Sequence, residues 1–174
     1  MLLQVLNSTL NILHRVSVVA RPCTFHEGAH QVMFGVRNGV VHFRLTLRAV
    51  PYMASGWTGV GFGQGMIDGM DVIIIRVQNG RVNVTDEYVR GYTTSFPDQI
   101  NNVIVHSSQV DNGIISVTFS RPVNAMEYVY DSSLLGCKPW KFVIGLNRMN
   151  PNGELYHHLT TPVHRTICID DCRL

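Results

Sequence analysis

Met66 and the pair His157-His158 are the residues of this sequence whose side chains could together hold a haem iron. A methionine thioether and a histidine imidazole can occupy the two axial positions of a six-coordinate haem, and without a Cys-x-x-Cys-His sequence such a haem would be held non-covalently. The histidines lie on what looks like a short strand ending at Pro162, where adjacent side chains point to opposite faces, so at most one should face the interior. Taken alone, Met66 could equally fill a core and both histidines could lie on the surface.

Two other patterns suggest known chemistry but do not meet its requirements. His26-Glu27-Gly28-Ala29-His30 has the spacing of a zinc-protease motif, which requires a helix, whereas Gly28 and the strand-like residues that follow favour an extended segment. The glycines at 59, 61, 63 and 65 lack the spacing and the Lys-Ser/Thr pair of nucleotide-binding loops. Neither a protease nor a nucleotide-binding protein is predicted.

The chain has an even number of cysteines, and a disulfide framework in an oxidising compartment explains them better than a zinc site. They are Cys23, Cys137, Cys168 and Cys172. Three pairings are open, and the spacing of the last two supplies only half of a zinc site. Sequons at Asn7 and Asn83 are candidate glycosylation sites. We therefore expect an extracellular protein or one of the secretory pathway.

Composition limits the chain to one domain and excludes several partners. Its 174 residues, 45% hydrophobic and 15% charged, suit a single core. A net charge of +2 without a basic block predicts no nucleic-acid partner, and no apolar run is long enough to span a bilayer. Residues 1–22 are interpreted as an N-terminal segment, either a signal peptide lacking a basic start or a truncated beginning, and residues 23–174 as the domain.

Short strands separated by tight turns are predicted from residue 31 onward. Apolar and polar residues alternate around residues 43–47, 82–84 and 115–119, as in strands with one buried face. Asn-Gly pairs at 38–39, 79–80 and 112–113 predict three two-residue hairpin turns. The pattern predicts an all-β fold, an antiparallel β-sandwich of two packed sheets.

The run from Gly56 to Met66 has a glycine at nearly every second position, so one face of that strand carries little side chain and something flat could approach it closely. The continuous apolar run Ile73-Ile74-Ile75 predicts a strand buried on both faces, either central in a sheet or facing a ligand.

These elements together resemble a DOMON domain, an extracellular domain of dopamine β-hydroxylase relatives, cytochrome b561-linked reductases and the cytochrome part of cellobiose dehydrogenase. The resemblance covers about residues 23 to 160, and Gly-Trp-x-Gly-x-Gly-Phe is its most specific part. It is carried by Cys23-Thr24-Phe25, Phe43 to Leu47, Gly56-Trp57-Thr58-Gly59-Val60-Gly61-Phe62, Met66 with Asp71, Asp86-Glu87-Tyr88, Phe119-Ser120-Arg121-Pro122, Asp131, Trp140 and Tyr156-His157.

The resemblance implies a β-sandwich with an internal ligand pocket that binds haem b through Met66 and His157. The spacing from methionine to aspartate makes Met70 an alternate ligand, and the doubled histidine makes His158 another. The residues expected to line the pocket are Trp57, Phe62, Ile73, Ile75 and Phe142.

One-electron transfer with a redox partner protein is the function this resemblance implies, and no cluster of nucleophile, base and acid marks the chain as an enzyme on its own. The alternative is a haem-free module for sugar or small-ligand binding or adhesion, in which Trp57, Trp140 and Tyr156 could stack on a sugar ring.

Overall fold

The computed structural model describes residues 21–174 apart from positions 125 and 128, so Asn7 and most of the N-terminal segment lie outside the described residues. The strands are β1 (Cys23–Glu27), β2 (His30–Arg37), β3 (Val40–Leu47), β4 (Gly56–Phe62), β5 (Met70–Gln78), β6 (Arg81–Val89), β7 (Phe96–Pro97), β8 (Ile104–Asp111), β9 (Ile114–Pro122), β10 (Cys137–Asn147) and β11 (Val163–Cys168). A 3₁₀ helix, Ile169–Asp171, follows β11.

The strands form two antiparallel sheets, one of five strands in the order β1-β2-β3-β9-β8 and one of six in the order β11-β10-β4-β5-β6-β7. The core lies between them. The predicted all-β sandwich is confirmed. Within the described residues, no helix is long and apolar enough to cross a membrane.

All three predicted Asn-Gly hairpins are present. The turns join β2 to β3, β5 to β6 and β8 to β9, and the residues flanking each pair are register partners. At all six turn residues φ lies between 49° and 74°, the left-handed region that asparagine and glycine adopt most readily.

β5 is buried on both faces, as its continuous apolar run predicts. Ile73 and Ile75 point into the core between the sheets. Ile74 belongs to a second apolar cluster, with Met70 and Val72, on the outer face of the six-stranded sheet. Successive side chains of β5 therefore pack alternately into two apolar clusters, one on each face of the sheet.

Both disulfides tie the C-terminal region to the sandwich. Cys23 pairs with Cys172, and Cys137 pairs with Cys168 across the register of β10 and β11. With every cysteine of the chain in a disulfide, the zinc alternative does not apply. Two disulfides are consistent with an oxidising, extracellular environment.

A buried ion pair joins the two sheets. Arg121 of β9 donates from Nη1 to Asp71 Oδ2 of β5 at 2.7 Å, and both side chains are fully shielded from solvent. Asp71 also accepts the Ser132 backbone N–H at 2.6 Å. Asp131 Oδ1 lies 3.8 Å from Arg121 Nη2, so an Arg121–Asp131 pair is present, with Asp71 as the closer partner.

The His26 to His30 segment is neither a helix nor one continuous extended strand. It forms a hairpin in which Glu27 of β1 pairs with His30 of β2 across Gly28-Ala29. His26 is exposed, whereas His30 is fully buried. Burial lowers the pKa of His30 to about 4, so its ring is neutral at pH 7. The two histidines do not form a metal pair.

Candidate functional site

A cavity of about 280 Å³ lies on the outer face of the six-stranded sheet. The exposed side chains of Tyr92, Tyr156 and His157 are at its rim, so the cavity opens to solvent. Its lining is Trp57, Gly59, Val60, Gly61, Met66, Met70, Val72, Ile74, Val89, Tyr92, Thr93, Thr94, Ser95, Lys141, Val143, Leu155, Tyr156, His157, His158 and Pro162.

Two glycines of β4 form the flat part of the floor. A Cβ on Gly61 would meet Met70 Cε at 2.9 Å and Sδ at 3.0 Å, and a Cβ on Gly59 would meet the Ile73 backbone oxygen at 2.5 Å. The absence of side chains here leaves a shallow surface, bordered by Val72, on which a planar group can lie.

The loop from 63 to 69 carries Met66 to the cavity. The Met66 carbonyl accepts hydrogen bonds from the N–H of Gly91 at 2.5 Å and of Gly69 at 3.3 Å. Gly69 has φ of +92°, and a Cβ there would overlap the Tyr88 side chain. Met66 is half-buried, whereas Met70 is 8% exposed and packed within the floor.

The histidine pair lies in the loop between β10 and β11, not on a strand. The rule that adjacent residues face opposite sides therefore does not apply, and both histidines line the cavity. The loop is anchored before and after them. Trp57 Nε1 donates to the Tyr156 carbonyl at 3.1 Å, and the Leu159 N–H donates to Asn147 Oδ1 at 2.7 Å.

The two histidines differ in hydrogen bonding and in burial. His157 Nδ1 lies 2.9 Å from the His158 carbonyl oxygen, which can only accept, so Nδ1–H is the donor of this contact and Nε2 is not used by it. His158 is half-buried, and its Nδ1 has no partner. Burial and then the neighbouring His157 lower the pKa of His158.

An Arg76–Glu87 pair connects the loops on the two sides of the cavity. Glu87 accepts from Arg76 Nη2 at 3.2 Å and from Ser95 Oγ at 2.5 Å, while Arg76 Nε donates to the Gly153 carbonyl at 2.9 Å. Burial opposes ionisation of Glu87, but hydrogen bonds from Arg76, Ser95 and Thr85 lower its pKa below the ordinary value. No sequence pattern indicated this network, because its side chains meet across neighbouring strands and its link to the Gly153 carbonyl spans 77 positions of the chain.

Most of the predicted lining residues lie elsewhere, which corrects the sequence-based assignment. Phe62, Ile73, Ile75 and Phe142 point into the core between the sheets, and of the predicted set Trp57 alone lines the cavity. The pocket is on the outer face of one sheet rather than between the two. Trp140 is also fully buried in that core, with its ring 4.9 Å from that of Phe62, and cannot stack on a sugar.

The pairing of β4 with its two neighbouring strands identifies the residues that line the cavity floor. Residues paired across neighbouring strands share a face. Gly59 is paired with Ile74 and Val143, and Gly61 with Val72 and Lys141. These are cavity residues. The glycine-bearing face, followed to its cross-strand partners, identifies the floor.

Comparisons with known proteins agree with this architecture. A family model described as the DOMON domain matches residues 26–147. The structure is similar to the cytochrome b domain of pyranose dehydrogenase from Coprinopsis cinerea, with a TM-score of 0.66 and 12% identity over 87% of this chain and 83% of that one. The cytochrome domain of Myriococcum thermophilum cellobiose dehydrogenase gives a TM-score of 0.65 and 13% identity over 88% and 84%.

No curated protein matches the sequence. At this level of identity, the similarity to the two solved structures concerns the fold. The family model, however, spans well over half of the sequence. The chain therefore belongs to the DOMON domain family.

Proposed function

We propose that this chain is a b-type haem-binding domain that passes single electrons, with Met66 and His157 as the axial ligands. The observation that carries the proposal is that one cavity is lined by two methionines, two histidines and a floor strand with glycines at positions 59 and 61. A thioether and an imidazole are suitable donors for haem iron, and the floor suits a planar macrocycle. When bound, the haem supplies a one-electron Fe(III)/Fe(II) couple.

His157 is the better histidine ligand because its Nδ1–H is already donated to a backbone carbonyl. Ligating histidines commonly use their second nitrogen in this way, which fixes the tautomer and orients the ring. Met66 is the better methionine because its loop carries it to the cavity, whereas Met70 packs against the outer face of Gly61 within the apolar floor.

The remaining lining supports the same assignment. Val72, Ile74 and Val143 supply an apolar surface that keeps water from the macrocycle and thereby affects its potential. Lys141 is the cation of the lining and could pair with a haem propionate, while Thr93 and Ser95 offer hydroxyl groups. These residues bind and orient the group.

A redox partner protein is the proposed source or acceptor of the electron. The two similar solved structures are each described as the cytochrome part of a dehydrogenase, and the rim residue Tyr92 is 79% exposed next to the cavity. We also propose an extracellular location, with the exposed Asn83 of β6 as a glycosylation site and residues 23–174 as the folded unit.

The visible absorption spectrum of the purified chain tests this proposal, recorded oxidised and dithionite-reduced, with and without added haem. We expect sharp α and β bands in the reduced protein that saturate at equimolar haem. A colourless protein with only a broad, non-saturating response would contradict the proposal. Stabilisation of such a protein by a glycan would instead favour the sugar-binding alternative.

Gly61→Val tests whether the flat floor is the binding surface. The added side chain must displace Met70 and extends over the floor, so we expect haem affinity to fall by at least about tenfold, the range seen when the surroundings of a metal site are disturbed. Titration of haem into the variant measures this. Ser116→Val, which places a valine on the opposite sheet, should titrate like the parent. Equal affinity in Gly61→Val would place the haem elsewhere.

A further inference from the structure

A second group of chemically notable residues lies outside the cavity, where Asp86, Asp98 and Asp131 come together. One ligand oxygen from each of the three carboxylates lies within 4.8 Å of the other two. Asp86 comes from β6, Asp98 from the segment after β7 and Asp131 from the loop after β9. Three separate chain segments thus bring carboxylates to one point.

Among the described residues, the backbone N–H of Asn102 approaches the Asp86 carboxylate but no hydrogen bond of ordinary geometry reaches either oxygen, although the residue is only 2% exposed. Buried polar groups in folded proteins nearly always have a partner, because leaving one unpaired costs free energy. An acid this deeply buried, approached among the described residues by a single backbone N–H, points to a ligand from outside the chain.

Asp131 is held so that one of its oxygens remains available. Its Oδ2 accepts three hydrogen bonds, from Asn102 Nδ2 at 2.7 Å and from the backbone N–H groups of Met126 and Glu127 at 2.8 Å each. Its Oδ1 accepts no hydrogen bond from the described residues and lies 3.8 Å from Arg121 Nη2. The amide oxygen of Asn102 is likewise buried without a partner, next to the amide nitrogen that orients it.

Arg121 is the positively charged side chain that contacts this group of aspartates. Arg121 contacts Asp71 at 2.7 Å and Asp131 Oδ1 at 3.8 Å, and among the described residues it forms no salt bridge with Asp86 or Asp98. A divalent cation between the three clustered carboxylates would supply positive charge at this point.

We propose that Asp86, Asp98 and Asp131, with the amide oxygen of Asn102, form a binding site for Ca²⁺. Carboxylate and amide oxygens are hard ligands, and Ca²⁺ accepts six to eight of them at about 2.3–2.6 Å in irregular geometry. Two oxygens on opposite sides of one such ion are about 5 Å apart, which accommodates the spacing of these carboxylates. Asp98 is only half-buried, so the site lies close to the surface from which an ion would enter.

The site has a structural consequence for the loops that supply it. Tyr88 of β6 packs against Phe96 at 5.6 Å and Tyr130 at 5.3 Å, so both loops are already held near β6. Bound Ca²⁺ would connect the same segments through their carboxylates. We therefore expect the ion to stabilise the folded domain, independently of whether haem is present.

Thermal unfolding of the full chain as purified tests the site, after removal of cations with EDTA and then with added CaCl₂ or MgCl₂. At a Ca²⁺ concentration about ten times the dissociation constant, Tm should rise by about 3–6 °C. Asp86→Asn should lose this rise and, in EDTA, should be at least as stable as the parent, because a buried unpaired charge is gone. Asp111→Asn, an exposed acid outside the cluster, should keep the full rise.

Asp98→Asn provides a second test if Asp86→Asn does not fold, because Asp98 is only partly buried. The proposal is overturned if the parent shows no response to Ca²⁺, or if both asparagine variants keep it. An equal response to Mg²⁺ overturns the assignment of calcium. None of these readouts uses the visible spectrum, so the calcium site can fail without the haem proposal failing, and the reverse.

Discussion

His157→Ala is expected to abolish the sharp α and β bands of the reduced, haem-loaded protein, whereas His158→Ala retains them. The reason is the hydrogen bond from His157 Nδ1 to the His158 carbonyl, a backbone contact that survives replacement of the His158 side chain. If His157 is the ligand, its loss would remove one of the two strong-field donors that a low-spin haem requires. Absorption spectra of the two variants at equal haem loading give the comparison.

The proposed methionine ligand is tested in the same way, by comparing variants of the two candidate methionines. Met66→Ala should also lose the low-spin bands, and Met70→Leu, which keeps the apolar volume of the floor, should keep them. If Met66→Ala and His157→Ala both retained a low-spin spectrum, the assignment of the axial pair would be incorrect. Loss in Met70→Leu and His158→Ala instead would transfer the assignment to the alternate residues.

Arg121→Leu should lower the free energy of unfolding by about 3–5 kcal/mol, a large effect for a single substitution. Removing the guanidinium leaves Asp71 buried without its counter-charge and removes the 2.7 Å link between the two sheets. The loss arises mainly from the uncompensated carboxylate. Urea denaturation of the variant and its parent measures it.

Two further variants distinguish this cause from general disruption. Asp71→Asn in the Arg121→Leu background should recover part of the lost stability, because the remaining side chain is then uncharged. Arg81→Leu removes an exposed arginine of β6 and should change stability by no more than about 0.5 kcal/mol. If the double variant were less stable than Arg121→Leu, the unpaired charge would not be the cause.

Local features of the fold were predictable from local sequence. The Asn-Gly pairs and the alternation of residues 43–47 and 115–119 each describe a few neighbouring positions, and the structure agrees with them. The order of strands was not predictable in this way. β3 pairs with β9, which lies far later in the chain, and alternation contains no information about which strand lies beside which. The disulfide pairing stayed open for the same reason.

The candidate site also has a part that could be predicted from the sequence and a part that could not. Resemblance to the family led to Met66 and His157, and both line the cavity. The other lining residues were chosen for bulk, yet Phe62 and Ile73 have the strand parity of the core. Bulky apolar residues are common to both faces of β5, so residue type alone cannot separate them. The Arg121–Asp71 link was not predicted because it joins strands of different sheets.

The position of the cavity on the outer face of one sheet affects the order of assembly. A haem inserted between two sheets would be part of the core, and the polypeptide could not complete its packing without it. In this chain apolar side chains, Phe34 and Phe142 among them, fill the core between the two sheets. Folding and disulfide formation can therefore be completed with the cavity empty. If the proposed haem binds there, it would bind to a domain that has already folded, and folding would not depend on haem supply.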